Sequence, residues 1–147
     1  MKRKLLEIEN LSVNFHTPEG VVGAVDQVCF DLAPGETLGL VGESGCGKSV
    51  TSLSILGLIA SPPGEIQTGR IMFENQDLLA LDTEKMRRIR GRDISMIFQE
   101  PMTSLNPVLT IGRQVTEPLI IHKGLSKADA YEEASTWLEH VKIPAAR

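Results

Sequence analysis

The chain has 147 residues, 41% apolar and 23% charged, with a formal net charge of −4; this is enough for one compact globular domain with one core. An acidic balance with only 4% aromatics lacks both the basic face and the base-stacking platforms of a nucleic-acid binder, so no nucleic acid is expected as a partner. The longest apolar run, near Leu53 to Ala60, is far too short to cross a bilayer, Glu7 and Glu9 interrupt any signal-peptide core, and Cys29 and Cys46 show neither CxxC nor metal spacing, so a cytosolic location with free thiols is expected.

Leu6, Ile8, Leu11, Val13 and Phe15 mostly alternate with polar residues, which predicts a half-buried strand. Thr17-Pro18-Glu19-Gly20 is a turn, and Val21 to Leu32 reads as a second strand, antiparallel to the first. After a break at Pro34-Gly35-Glu36, Thr37 to Val41 is almost wholly apolar and predicts a short strand of the kind buried on both faces of a parallel sheet. A glycine-rich loop, Gly42 to Gly47, leads into a predicted helix from Lys48 to about Leu58 with Leu53, Leu56 and Leu58 apolar, closed by Ser61-Pro62-Pro63-Gly64. A strand is predicted over Gly69 to Phe73, then a turn at Glu74-Asn75-Gln76. Asp82 or Thr83 can cap a short basic helix through Arg90 that Gly91 closes. Ile94 to Phe98 is again apolar and strand-like, and Pro101 to Pro107 is a loop. Ile111 to His122 predicts a helix despite Pro118, with Gly124 as its C-cap. Ser126 and Asp129 give a capping-box pattern, after which Ala130, Ala134, Trp137, Leu138 and Val141 recur at helical spacing up to Pro144. The order predicts an α/β core preceded by an antiparallel β portion and followed by the start of a helical portion.

Gly42-Glu43-Ser44-Gly45-Cys46-Gly47-Lys48-Ser49 matches GxxxxGK[ST] in full. Glycines 42, 45 and 47 permit torsions and close approach that a Cβ would block. Successive N–H groups of such a loop form an anion nest, and the helix that follows adds its dipole and free N–H groups. Lys48 is expected to reach the β- and γ-phosphates as a point charge, and the Ser49 hydroxyl to ligate Mg²⁺. The motif lies between a buried-type strand and a helix, the setting it requires, so ATP and Mg²⁺ are the expected ligands.

A P-loop alone does not distinguish kinases, GTPases, helicases and transport ATPases. The segment Met96-Ile97-Phe98-Gln99-Glu100-Pro101-Met102-Thr103-Ser104-Leu105-Asn106-Pro107 resembles the Q-loop of ABC ATPases, in the form found in the peptide/nickel importer subfamily. Ala24-Val25-Asp26 and the string Val41 to Thr51 agree with it. The resemblance covers essentially the whole chain and implies the N-terminal part, residues 1–147, of a single ABC ATPase domain: the β portion and P-loop core over 1–100, then the Q-loop and the start of a helical subdomain over 101–147. By position it makes Gln99 the residue that contacts Mg²⁺ and the attacking water, Phe15 the aromatic that stacks on adenine, and Val25 a neighbour of the base or ribose. Gly42, Glu43, Ser44, Gly45, Cys46, Gly47, Lys48, Ser49 and Val50 become nucleotide contacts, with Ser49 and Gln99 toward the metal.

The resemblance further implies a second ATPase subunit, identical or homologous, membrane permease subunits as partners, and a peripheral position on the cytoplasmic face of the inner membrane. Glu43 is not expected to be a general base. Cys46 is expected to be a tolerated small residue rather than a nucleophile, and Lys85, Arg87, Arg88, Arg90 and Arg92 a solvated face. His16, His122 and His140 show no ligand spacing. The family's Leu-Ser-Gly-Gly-Gln signature, Walker B aspartate, catalytic glutamate and switch histidine are not found in the sequence, so the chain is expected to be a fragment or a truncated product. The alternatives are a non-transport ABC ATPase, or a nucleotide-binding fragment without turnover.

Overall fold

The computed structural model describes residues 3–99 and 104–143. The chain divides into two compact units, Met1–Arg87 and Arg88–Arg147.

The first unit is built on a four-stranded antiparallel sheet in the order β2-β1-β3-β4. Strand β1 (Leu6–Thr17) pairs with β2 (Gly20–Leu32) on one side and β3 (Gly64–Phe73) on the other, and β4 is the short Gln76–Asp77. The imperfect alternation of β1 has a local cause. Asn10 adopts φ 47° and the register slips between Ile8 and Leu11. This bulge inserts one residue and returns Leu11 and Val13 to the buried face that Ile8 occupies. The Asn10 N–H donates to the Cys29 sulfur at 3.0 Å. Across the bulge on β3, Gly69 (φ 114°) leaves no room for a Cβ, which would lie 2.6 Å from Leu11 Cα. Two residues with positive φ, Glu74 and Asn75, turn β3 into β4, as the twist of a two-residue hairpin demands.

Ile8, Leu11, Val13, Val25, Ile71, Leu78 and Met86 form the core of this unit together with Leu56, each large side chain contributing about 1.5–3 kcal/mol on burial. Helix α1 (Lys48–Ile55) ends earlier than its leucine spacing suggests, because Gly57 turns the chain at φ 60°. Its most buried residues are Thr51 and Ser54, whose hydroxyls are satisfied by the carbonyls of Gly47 (3.0 Å) and Val50 (2.8 Å); Leu58 is exposed. Helix α2 (Thr83–Ile89) starts where Asp82 Oδ1 accepts from the Lys85 N–H at 2.8 Å, and Gly91 follows it at φ 80°.

Two expected strands are not formed. Thr37 to Val41 and Ser95 to Phe98 belong to no strand and have no ladder partners, and Ile94 makes one isolated bridge to Arg90. Val41 is 93% and Ile97 98% exposed. Their apolar character suits a central parallel strand, but such a strand exists only through neighbours distant in sequence, and none pairs with these segments among the described residues.

In the second unit, helix α3 (Ile111–Lys123) is capped by Thr110, whose hydroxyl accepts from the Arg113 N–H, and ends at Gly124 with φ 68°. Pro118 is accommodated inside it. Helix α4 (Lys127–His140) starts at Ser126, which accepts from the Asp129 N–H at 3.3 Å while its hydroxyl donates to the Asp129 carboxylate at 2.7 Å. Ala130 and Ala134 are buried, and Trp137 and Val141 are exposed. The Lys123 ammonium bonds Glu133 and lies 6.0 Å from the Trp137 ring centre, and Trp137 donates to Glu133 at 3.2 Å. These contacts, the Lys123 bond foremost, hold the Glu133 carboxyl below its ordinary pKa. The helix stop at Pro144 and residues 100–103 of the loop string lie outside the described residues.

Candidate functional site

The glycine-rich loop closes on the Lys48 side chain. Its ammonium donates to the carbonyl oxygens of Gly42 (2.7 Å) and Glu43 (2.6 Å) and lies 3.3 Å from the Cys46 sulfur. The Cys46 N–H donates to Glu43 O at 3.3 Å, which turns the loop back on itself. A Cβ on Gly42 would lie 2.4 Å from the Cys46 sulfur, so a side chain there would have to displace the Cys46 thiol. Gly45 and Gly47 have φ of 83° and 87°.

Gly47 is the pivot of the site. It is the N-cap residue of α1 in the left-handed region and offers no side chain to the helix end. The amides of Lys48, Ser49 and Val50 therefore begin the helix without a side-chain cap, the condition under which a helix N-terminus attracts an anion. Gly47 also lies against β2: a Cβ would meet Ala24 O at 2.2 Å and the Val25 side chain at 3.3 Å. The antiparallel sheet thereby fixes where α1 starts and where the loop points.

A pocket of about 260 Å³ gathers Val25, Val41, Cys46, Gly47 and Lys48, with Ala24, Asp26, Val28, Leu40 and Thr51 completing its wall. Of the residues expected from sequence, it brings Val25 together with Cys46, Gly47 and Lys48. Glu43, Ser44, Gly45 and Ser49 are exposed on the loop and the first turn of α1, and Val50 is half-buried. Phe15 is not part of the pocket wall. It is half-buried at the end of β1, opposite Gly64 and Val22, with its ring packed onto Gly64. Gln99 is exposed and belongs to the second unit, and Glu100 to Thr103, the middle of the string that follows it, lie outside the described residues.

Two contributors escape a reading of the sequence. The Ala24 carbonyl is a backbone group, whose contact with Gly47 no residue type announces. Thr51 carries one: it stands four residues after Gly47 and bonds its carbonyl, the spacing of one helical turn.

Four of the other basic residues singled out in the sequence pair with carboxylates. His16 lies 2.9 Å from Glu65 across β1 and β3. Lys85 pairs with Asp82 at 3.1 Å, Arg87 with Glu84 at 3.8 Å and Arg92 with Asp93 at 2.8 Å, all at the surface. The Arg92 guanidinium bonded to Asp93 holds that carboxyl below the usual range. Among the described residues no three His, Cys, Asp or Glu side chains cluster as a metal site, and no helix is long and apolar enough to cross a membrane.

Comparison with known proteins places this geometry. The dipeptide transport ATP-binding protein DppD of Bacillus subtilis is 54% identical over 141 residues, covering 96% of this chain and 42% of that protein. The DppD of Lactococcus lactis is 51% identical over 146 residues, and the oligopeptide transport ATP-binding protein OppD of B. subtilis is 50% identical over 141. The chain thus spans about two fifths of the length of these relatives. In fold it is similar to the ATP-binding cassette MJ0796, solved as a dimer bound to ADP and Pi, with a TM-score of 0.75 at 24% identity over 95% of this chain and 58% of that one. The architecture is therefore the α/β P-loop fold of such cassettes; the antiparallel β portion expected wholly before the P-loop takes β1 and β2 from before it and β3 and β4 from after α1, because the sheet pairs β1 with a strand distant in sequence. Residues 25–147, which include the P-loop and helices α1 to α4, match the ABC transporter family, and the chain belongs to that family.

Proposed function

We propose that this chain is the ATP-binding part of a subunit that couples ATP binding and hydrolysis to the import of peptides or a related small cargo. The observation that carries the nucleotide site is the Gly42–Ser49 loop, with its one ammonium held at the loop carbonyls and Gly47 opening an uncapped helix end. The close approach of Gly47 to the Ala24 carbonyl, where a Cβ would lie 2.2 Å away, suits a backbone that wraps a phosphate chain. In this reading Lys48 leaves the carbonyls of Gly42 and Glu43 for the β- and γ-phosphate oxygens, exchanging neutral acceptors for charged ones, which bind an ammonium more strongly. The N–H groups from Gly45 to Val50 orient the phosphates.

Ser49, exposed at the first turn of α1, and Gln99 offer neutral oxygen donors of the kind Mg²⁺ accepts. When bound, that ion supplies charge neutralisation between the β- and γ-phosphates. The Gln99 amide orients a water without adding negative charge beside the γ-phosphate, Phe15 stacks on the base, and Val25 packs near the base or ribose.

The importer assignment rests on relatives named for dipeptide and oligopeptide transport at 50–54% identity. It brings as partners a second ATPase subunit and membrane permease subunits, with this chain peripheral on the cytoplasmic face. Equilibrium dialysis with Mg·ATP tests the nucleotide site. Lys48→Ala should weaken binding about ten- to a hundredfold, the loss of a charged hydrogen bond of roughly 1.5–3 kcal/mol; unchanged affinity refutes the cradle. Co-purification of the full-length product with membrane permeases tests the transport reading against a non-transport ATPase.

A further inference from the structure

We propose that Val22 is a further contact for the base of the nucleotide: beside Phe15 it makes an apolar shelf two side chains wide, which selects purine over pyrimidine nucleotides. The inference deepens the nucleotide reading given above and rests on Phe15 as the stacking residue. A single exposed valine carries no meaning by itself. What singles out Val22 is the face it lies on.

Val22 stands directly opposite Phe15 in the β1–β2 ladder, and Val13 stands opposite Val25. Residues opposite one another, and residues two apart on a strand, share a face of the sheet, so Phe15, Val22, Val13 and Val25 lie on one face. Val22 and Val25 are three residues apart, which in a regular strand would put them on opposite faces. The register shift between Val13 and Asn14 removes the conflict: Ala24 is the extra residue of a bulge, and its insertion brings both valines to the same side. The same Ala24 carries the carbonyl against which Gly47 sits. One bulge thus places the start of α1 and aligns Val22 with Val25.

Burial falls along this face. Val13 and Val25 are buried, Phe15 is half-buried and Val22 is 54% exposed. Val25 shares a pocket wall with Gly47 and Lys48, and Val22 lies at most about 10 Å beyond it along β2. A nucleotide with its phosphates on the loop and its ribose at Val25 brings its base to Phe15 and Val22. On the other side of Phe15, β3 offers Gly64, where a Cβ would lie 3.0 Å from the Phe15 ring and 2.4 Å from the Ile59 side chain. The ring is supported from β3, while Val22 stays uncovered on the β2 side. Opposed side chains are about 5 Å apart at Cβ. The two fused rings of a purine span both, and the single ring of a pyrimidine covers one. Stacking on Phe15 alone accepts every base, so the preference falls to Val22.

Val21 is the control. It is the next residue, is as open to solvent at 60%, and pairs with His16 on the opposite face. The test measures Kd for ATP, GTP, CTP, UTP and inorganic tripolyphosphate, each with Mg²⁺, in the full-length gene product and in Val22→Thr, Val21→Thr and Phe15→Ala. Threonine suits a strand as valine does and exchanges one methyl for a hydroxyl. Val22→Thr should weaken ATP and GTP about three- to tenfold, through lost apolar contact and a hydroxyl covered by the ring. It should leave CTP, UTP and tripolyphosphate within about twofold of the parent, and Val21→Thr should leave all five there. Val22→Ala, with the same expected pattern, serves if the threonine variant folds poorly by circular dichroism.

Equal losses in Val22→Thr and Val21→Thr would overturn the proposal. So would a loss of tripolyphosphate affinity in Val22→Thr, equal losses for purine and pyrimidine nucleotides, or an unchanged affinity for ATP. In each of these cases weaker ATP binding by Phe15→Ala leaves the stacking role of Phe15 standing. Unchanged ATP binding by Phe15→Ala instead removes that role, and the shelf with it.

Discussion

Gly47→Ala is the sharpest test of how the sheet sets the P-loop, because two separate penalties fall on one methyl group. The backbone at Gly47 has φ 87°, a conformation that costs an L-residue about 1–2 kcal/mol. The new Cβ would also lie 2.2 Å from Ala24 O and 3.4 Å from Ala24 C. Those are backbone atoms of β2, which cannot move aside as a flexible side chain could, and forced displacement of packed structure costs about 1–3 kcal/mol. The sum is about 2–5 kcal/mol. Gly45 provides the control, with φ 83° and nothing within 4 Å of its Cβ position, so Gly45→Ala should carry only the torsional part, about 1–2 kcal/mol. With a urea m-value of about 2 kcal/mol/M, the midpoint should fall by about 0.5–1 M for Gly45→Ala and about 1–2.5 M for Gly47→Ala. Far-UV circular dichroism is the right probe, since the one tryptophan, Trp137, lies in the other unit and reports that unit instead. Equal midpoints for the two variants would refute the tight contact between Gly47 and Ala24, and with it the claim that β2 fixes the start of α1.

Phe15→Ala should weaken ATP and GTP alike, by about 1–3 kcal/mol, because stacking reads the face of a base and not its edges; unchanged affinities with the circular dichroism spectrum intact would leave Phe15 only its packing on Gly64. Glu133 gives a pH prediction: its folded pKa is depressed, chiefly by the Lys123 bond, so its stabilisation is present above the ordinary carboxylate value near 4.5 and is lost as pH falls through the lower folded value. Lys123→Met should therefore flatten the decline of thermal stability below that pH, and an unaltered acid limb would show that the pair does not matter in solution.

Local signals in the sequence are the reliable ones. The turn at Thr17–Gly20, the stop at Gly124 and the Ser126/Asp129 box are chemical instructions acting within four residues, and each appears where its chemistry puts it. The antiparallel pair β1–β2 follows from the same logic, a short turn between alternating runs. What fails is anything defined by distant partners. Thr37–Val41 and Ile94–Phe98 have the composition of central strands but do not form a ladder here, because composition reports the burial a segment needs and not the neighbour that supplies it. Within the site, the GxxxxGK[ST] spacing locates the loop and Lys48, whereas the contact of Gly47 with the Ala24 carbonyl is a meeting of backbones that no residue type announces. The bonds of the Gln114 amide to the Asn106 backbone are equally silent, since a glutamine in the first turn of a helix is ordinary until its partners are seen.

The last prediction concerns turnover by the 147-residue chain itself: it should bind Mg·ATP and hydrolyse it at no more than background rate. Phosphoryl transfer to water needs charge stabilisation at the γ-phosphate and a water held in line. On the proposed reading, the P-loop, Lys48, Ser49 and Gln99 supply binding and part of the orientation. The groups that the family resemblance assigns to the water, to the γ-phosphate and to the facing subunit's signature are not in this sequence. Loss of one preorganised donor typically lowers the rate by about 10²–10³, and several are lacking together. Such losses do not multiply, because the groups act as a unit, but one alone is enough to bring slow turnover close to the limit of detection. Phosphate release from purified chain, with Lys48→Ala purified in parallel to expose any contaminating ATPase, measures this directly. Sustained turnover that vanishes in Lys48→Ala would refute it and would transfer the alignment of water to a residue of this chain, with Glu43 in the loop and Asp26 on the pocket wall as the first carboxylates to substitute.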